Sequence, residues 1–168
     1  MKSLVLDTSV FIKLRGSKVG PIVEAVLRRH TDCGFFVCDM TCFEFIRTCP
    51  NLAEARGAVE LLNDGRNRIP VDKDLLAYST YYFNVLCKYM KDDRLKNAIY
   101  PKHLSDSDVI IGASALRMNA MLCTTNGNDF PRPFFNEVSV DPLGKDEKLY
   151  VLQADRSFYE KQFGKLMK

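Results

Sequence analysis

Short apolar runs alternate with longer amphipathic runs along this chain, and this alternation constrains the fold more than any other feature. The first run, Ser3 to Leu6, ends in Asp7-Thr8-Ser9, a pattern typical of a buried strand that leads into the start of a helix. Five more strands are predicted: Phe35 to Cys38, a short strand around Ile69 and Val71, Met121 to Cys123, Glu137 to Val140, and Leu149 to Leu152. Short strands joined by helices form right-handed crossovers and a parallel sheet covered on both faces. The sequence therefore predicts an α/β fold.

Between these strands the apolar residues recur at helical spacing. The longest predicted helix is Lys73 to Met90, and the most apolar one is Asp106 to Asn119. The other predicted helices are Val19 to Arg29, Thr41 to Thr48, Leu52 to Asn63 and Arg156 to Met167. Glycine and prolines mark Thr124 to Pro133 as a loop.

The size and composition are those of one ordinary globular domain. The chain has 168 residues, of which 46% are hydrophobic and 27% charged, so we predict a single domain over residues 1–168. No apolar run approaches the roughly 20 residues that cross a bilayer, and the run Leu4 to Leu6 is interrupted by Asp7. We therefore expect no signal peptide, no membrane partner and a cytoplasmic location.

The cysteines and histidines do not form a metal-binding pattern. Four of the six cysteines lie near one another in sequence, at Cys33, Cys38, Cys42 and Cys49. They contain no Cys-x-x-Cys pair, and both histidines, His30 and His103, lie elsewhere. We expect free thiols that serve as small apolar side chains.

Basic residues gather in two places, although the net charge of +3 is mild. One cluster is Lys13, Arg15 and Lys18, and the other is Lys88, Lys91, Arg94, Lys96 and Lys102. Either cluster suits phosphate binding. Each also suits a solvated helix face with ordinary surface ion pairs, so both interpretations stay open.

Four acidic residues lie where the carboxyl ends of strands bring ligand-binding residues together. Asp7 follows the first strand, Glu44 lies in the first turn of the helix after the second strand, and Asp108 opens a helix. Asp129 lies in the loop after Met121 to Cys123. These four carboxylates are expected to converge on one edge of the sheet.

Each acid also has a structural explanation. Glu44 would close a capping box with Thr41, Asp108 would close another with Ser105, Asp7 would cap a helix, and Asp129 would organise a turn. Carboxylates packed together, however, repel one another unless a cation compensates them. Ligands that are all oxygen favour Mg²⁺ or Mn²⁺ over Zn²⁺.

The segments that carry the acids resemble the signature of the PIN-domain family. They are Leu4-Val5-Leu6-Asp7-Thr8-Ser9-Val10, Glu44, Asp108-Val109-Ile110-Ile111-Gly112-Ala113 and Thr124-Thr125-Asn126-Gly127-Asn128-Asp129-Phe130. Their order and spacing most resemble the VapC-type toxin ribonucleases of toxin–antitoxin systems, over residues 1 to about 130. The resemblance implies a three-layer PIN-like fold with a short-stranded, mainly parallel central sheet flanked by helices. Residues 131–168 extend beyond the compact toxin pattern, and we predict that they are a C-terminal extension of the same domain.

The resemblance also implies a site and a reaction. The acidic residues Asp7, Glu44, Asp108 and Asp129 would hold Mg²⁺ or Mn²⁺ and catalyse hydrolysis of RNA phosphodiester bonds. Their polar neighbours Thr8, Ser9, Thr124 and Asn126 would orient the carboxylates or the metal-bound water, or simply form local caps and turns. Asp106 is a rival to Asp108, since both lie at the same helix start.

The partners implied by the resemblance are RNA, an antitoxin that inserts a segment into the acidic groove, and a second copy of the nuclease in a homodimer. Two alternatives stay open: a PIN-domain nuclease of RNA processing or decay that is not a toxin, and a noncatalytic RNA-binding module. The sequence lacks the Gly-x-x-x-x-Gly-Lys loop of nucleotide-binding enzymes and the Gly-x-Gly-x-x-Gly of dinucleotide-binding enzymes after the first strand. It also lacks the second aspartate of an Asp-x-Asp phosphatase motif. We therefore do not expect any of these three enzyme classes.

Overall fold

The computed structural model describes residues 2–62, 67–91 and 105–166. Its strands are β1 (Lys2–Leu6), β2 (Cys33–Cys38), β3 (Arg68–Ile69), β4 (Met121–Thr124), β5 (Phe135–Pro142) and β6 (Lys148–Ala154). Its helices are α1 (Thr8–Leu14), α2 (Gly20–Arg28), α3 (Asp39–Arg47), α4 (Leu52–Leu62), α5 (Lys73–Lys91), α6 (Asp106–Met118) and α7 (Arg156–Leu166). Predicted features at Asn63, Arg94, Lys96, Lys102, His103 and Met167 lie outside the described residues. The predicted α/β class is confirmed.

The strands form one six-stranded sheet in the order β3-β2-β1-β4-β6-β5. The four strands β3, β2, β1 and β4 pair in parallel, as predicted. β6 pairs antiparallel with β4, and β5 pairs antiparallel with β6. The sheet is therefore mixed: the predicted parallel pairing holds for four strands, and the last two strands are antiparallel. The connection between β5 and β6 is too short for the crossover that a parallel pair needs, so the chain turns back as a hairpin.

Helices cover the sheet on both faces, because successive side chains of a strand point to opposite sides. On β1, Val5 belongs to an apolar cluster with residues of α5, α6 and α7, among them Leu86, Ile111 and Tyr159. Leu4 and Leu6 belong to a second cluster, which includes Val10 of α1 and Val23 of α2. The result is a three-layer arrangement with the sheet in the middle.

The segment after residue 130 joins this core. Its strands β5 and β6 complete one edge of the sheet, and the α7 residue Tyr159 packs its ring against Tyr78 and Tyr82 of α5. Cys33, Cys38, Cys42, Cys49 and Cys123 are free thiols; Cys33, Cys38 and Cys42 are buried, as predicted, and Cys49 is half-buried. No helix in the described part of the chain is long and apolar enough to cross a membrane.

Candidate active site

The strand order reverses between β1 and β4, because the chain moves outward from β1 to β3 and then returns to the other side of β1. At such a switch point the carboxyl ends of neighbouring parallel strands leave a crevice in which ligands bind. A cavity of about 480 Å³ lies here and is lined by Asp7, Glu44 and Asp108, three of the four predicted acids. We call it the acidic cavity. Its other lining residues are Thr8, Ser9, Ile12, Arg47, Thr48, Ser105 and Asn126.

Asp7 is held at the junction of β1 and α1. It is the N-cap of α1, as its structural explanation predicted, and its Oδ1 accepts a hydrogen bond from the backbone N–H of Thr8 at 2.7 Å. Its Oδ2 accepts hydrogen bonds from Ser9 Oγ and Thr124 Oγ1, both at 2.7 Å. Only 3% of the residue is exposed. The carboxylate therefore has a single defined position.

The environment of Asp7 penalises its charge. Burial raises the pKa of Asp7, the nearby charge of Asp108 raises the same pKa, and the hydrogen bonds that Asp7 accepts lower it without offsetting the burial. Within residues 2–62, 67–91 and 105–166, none of the ion pairs involves Asp7, Glu44 or Asp108. The three carboxylates of the acidic cavity thus form no ion pair within the described residues, although Arg47 also lines the cavity.

Glu44 reaches the acidic cavity from α3. Its Oε2 accepts a hydrogen bond from Thr8 Oγ1 at 2.5 Å, and its Oε1 accepts one from Ser107 Oγ. The predicted capping box between Thr41 and Glu44 is wrong, because α3 already begins at Asp39. Glu44 therefore lies in the second turn. The hydroxyl of Thr41 instead donates to the backbone oxygen of Leu6 at 3.3 Å.

Asp108 enters the acidic cavity from the first turn of α6. The predicted capping box with Ser105 is confirmed: Ser105 Oγ accepts from the backbone N–H of Asp108 at 3.1 Å, and Asp108 Oδ2 accepts from the backbone N–H of Ser105 at 3.1 Å. Ser105 Oγ also lies 2.6 Å from Asp108 Oδ2. The rival Asp106 is exposed and does not line the acidic cavity.

Asp129 lines a different cavity from the other three acids. It ends a single 3₁₀ turn, Gly127–Asp129, in which its backbone N–H donates to the oxygen of Asn126 at 3.0 Å. It lines a neighbouring polar cavity of about 520 Å³, together with Lys13 and Tyr150. Asn126 lines both cavities. The fold thus brings three of the predicted acids together and places the fourth in the next cavity.

The predicted polar neighbours contact the carboxylates through their hydroxyl groups. Thr8 donates to Glu44, whereas Ser9 and Thr124 donate to Asp7. Asn126 contributes its backbone N–H, which donates to Thr124 Oγ1 at 2.9 Å. This bond ties the loop after β4 to the carboxylate of Asp7.

Ser107 and Arg47 lie close to the predicted acids and were not predicted as site residues. Ser107 donates to Glu44 and thereby links α6 to α3. Its position directly before Asp108 at a helix start could have indicated that it belongs to the site. Arg47 lines the acidic cavity three residues after Glu44 on α3, a spacing that places both side chains on one side of a helix.

The carboxylate oxygens of Asp7, Glu44 and Asp108 are the kind of ligand atom that a hard divalent cation prefers. A carboxylate offers about four lone pairs in all. Among the described contacts, Asp7 accepts three hydrogen bonds and Glu44 accepts two, and those of Asp108 fall on Oδ2 alone. Each carboxylate therefore keeps at least one open oxygen lone pair for an ion such as Mg²⁺ or Mn²⁺. No group of three or more His, Cys, Asp or Glu side chains in the described ranges is close enough to hold a metal ion. The carboxylates are neighbours in one cavity and not a closed ligand set.

No protein-family model matches the chain, and no curated protein matches it significantly. A function for this chain has to be inferred from the residues of the acidic cavity and from the elements that hold them.

Proposed function

We propose that this chain is a metal-dependent endoribonuclease with a PIN-like fold, which hydrolyses RNA phosphodiester bonds in the acidic cavity. One observation carries the proposal. Asp7, Glu44 and Asp108 come from three separate segments of the chain and meet in one cavity at the switch point of the sheet. A structural role for each acid alone does not require them to share a cavity.

Asp7, Glu44 and Asp108 are the residues that would hold Mg²⁺ or Mn²⁺. When bound, such an ion lowers the pKa of a coordinated water and neutralises charge that develops on the phosphate. Asp129 is left out of the proposed ligand set because it lines the neighbouring cavity.

The protein's own contribution is to hold these carboxylates in place before substrate arrives. Ser9 and Thr124 both donate to Oδ2 of Asp7, which leaves a lone pair on Oδ1 open. Thr8 and Ser107 each hold one oxygen of Glu44, and so connect α1 and α6 to α3. Donors of this kind orient metal-binding carboxylates, and their loss usually costs about 10- to 100-fold in affinity or activity.

The toxin role is proposed from the sequence resemblance alone, together with an antitoxin partner and a homodimer. Growth arrest on overexpression, absent in an Asp7→Asn variant, is the expected behaviour of a toxin. Harmless overexpression of an active nuclease would favour the alternative role in RNA processing or decay.

The test of the proposed function is cleavage of a mixed pool of structured and single-stranded RNA by the purified chain, with Mg²⁺, with Mn²⁺ and with chelator. Asp7→Asn and Asp108→Asn are each expected to lower the rate by more than about 100-fold, because they remove a ligand and not merely its support. Asp106→Asn is the matched control, since Asp106 is exposed, lies two residues before Asp108 and is outside the acidic cavity. It should cut at the wild-type rate.

Cleavage that survives chelator, or that persists in the Asp7→Asn variant, would contradict the proposal. Circular dichroism of each variant separates loss of activity from loss of fold. RNA binding without cleavage and without need for a metal ion would favour the noncatalytic RNA-binding module.

A further inference from the structure

Two side chains on α3, Phe43 and Arg47, flank Glu44 in the chain and make none of the hydrogen bonds that hold the carboxylates. Arg47 lines the acidic cavity itself. Phe43 lies one helical turn earlier, directly before Glu44, and 57% of the residue is exposed. The guanidinium carbon of Arg47 lies over the ring of Phe43, 5.5 Å from its centroid. The two side chains form a cation–π pair, of which Arg47 lines the acidic cavity.

The charge of Arg47 is available to an anion. Among residues 2–62, 67–91 and 105–166, it is the one Arg or Lys that lines the acidic cavity. None of the ion pairs in those ranges includes it, although Glu44 lies three residues before it on the same helix. A planar guanidinium suits two phosphate oxygens at once. A positive charge in the same cavity attracts a polyanion that approaches three carboxylates.

The ring of Phe43 is the apolar half of the pair. No ring–ring contact in the described part of the chain includes Phe43, whereas several other aromatic residues pack against one another in the core. Arg47 lies against one face of the ring. The other face suits a nucleobase, because single-stranded RNA is commonly held by bases that stack on aromatic side chains while a basic residue contacts the backbone.

We propose that Phe43 and Arg47 bind one nucleotide of single-stranded RNA next to the bond that is cut. Phe43 stacks on the base and Arg47 binds its phosphate, which guides the strand past Glu44 into the acidic cavity. The inference depends on the proposed function, since it names the substrate as single-stranded RNA and assigns two residues that select it. A base paired in a duplex cannot reach the ring, so a duplex binds less well.

The test is binding of a fluorescein-labelled single-stranded RNA of about 12 nucleotides, of mixed sequence, measured by anisotropy in chelator so that the RNA stays intact. The same RNA annealed to its complement is the second probe. Phe43→Leu keeps an apolar side chain and removes the ring, and Arg47→Gln keeps the length and removes the charge. The matched controls are Phe83→Leu on α5, where Phe83 is 41% exposed, and Arg56→Gln on α4, where Arg56 is exposed and outside the acidic cavity.

Phe43→Leu is expected to weaken binding of the single strand by about fivefold or more and to leave duplex binding unchanged, so that the preference for single strands shrinks. Arg47→Gln is expected to weaken binding and to reduce the salt slope of log K by about 0.7, the value for one phosphate contact on a single strand. A purely structural role would not change the strand preference or the salt slope. Phe83→Leu and Arg56→Gln should bind as wild type does.

The outcomes separate this inference from the proposed function. Cleavage that needs Mg²⁺ or Mn²⁺, together with binding that is equal in Phe43→Leu, Arg47→Gln and the controls, would overturn the inference and leave the nuclease standing. Binding that depends on Phe43 and Arg47 without any cleavage would support the inference and overturn the nuclease. A wild-type chain that neither binds nor cuts RNA would overturn both.

Discussion

Thr124→Val removes the hydroxyl that donates to Asp7 and leaves the shape of the side chain almost unchanged. Thr124 is fully buried, at 0% exposure. Its Oγ1 donates to Asp7 Oδ2 at 2.7 Å and accepts the backbone N–H of Asn126 at 2.9 Å. The variant therefore loses a hydrogen bond to a buried carboxylate and leaves a backbone donor without its protein partner.

The expected loss of unfolding free energy is about 2–3 kcal/mol, because a hydrogen bond to a charged group contributes about 1.5–3 kcal/mol. In a chain of this length that lowers the melting temperature by roughly 5–10 °C. Thr41→Val is the matched control: Thr41 is also at 0% exposure, but its hydroxyl donates to a neutral backbone oxygen, that of Leu6, at 3.3 Å. Its expected loss is about 1 kcal/mol or less.

The pH dependence distinguishes the two variants. The pKa of Asp7 is raised above its ordinary value of 3.8, chiefly by burial. Protonation of Asp7 therefore favours the folded state: this contribution to the free energy of unfolding is fully present below pH 3.8 and is lost as pH rises through the raised pKa. Thr124 opposes this loss because it donates to the ionised carboxylate. The cost of Thr124→Val should therefore be larger at about pH 8 than at about pH 4, whereas the cost of Thr41→Val should not change.

The measurement is urea unfolding of the wild type and both variants at the two pH values, followed by circular dichroism. Equal losses in Thr124→Val and Thr41→Val, or a loss in Thr124→Val that does not grow with pH, would refute this account of the Asp7 site.

Two further predictions concern the loop and strand beside the site. Gly127→Ala should lower the melting temperature, because a Cβ there would lie 2.8 Å from ring atoms of Tyr150. The control is Gly57→Ala in the interior of α4, where a Cβ would meet nothing within 4 Å, and it should raise the melting temperature slightly. Equal changes of melting temperature in the two variants would contradict this prediction. Burial, and next the charge of Asp7, raise the pKa of Cys123 to about 12, so its thiol should resist iodoacetamide at about pH 8 until the chain unfolds. Mass spectrometry that finds Cys123 alkylated in the native protein would show that this burial is absent in solution.

The fold class was predictable because it depends on local patterns. The short apolar run before Asp7 marked β1, and the apolar helix that begins near Ser105 was placed correctly with its capping box. The antiparallel pairing of β5 and β6 was not predicted, because the sequence of a single strand does not show which neighbour it will pair with. The start of α3 was missed as well, because Asp39 begins the helix without a side-chain cap at Cys38.

The candidate site was predictable to the same degree. Motif order and strand ends pointed to Asp7, Glu44 and Asp108, and these residues share a cavity. The same reasoning grouped Asp129 with them, although the loop after β4 turns its 3₁₀ segment toward a second cavity. A position in a loop does not reveal which way the loop turns, because that depends on contacts with other elements.

By itself the sequence determined which residues are candidates for the site, since hydroxyls and carboxylates at strand ends and helix starts are recognisable from their neighbours in the chain. Only the tertiary structure decided which of them meet. Thr8 and Ser107 are far apart in the chain, yet both donate to Glu44. Arg47 comes to line the acidic cavity only when α3 packs beside α1 and α6. Burial and the distance between charges are properties of the packed chain, and no local pattern contains them.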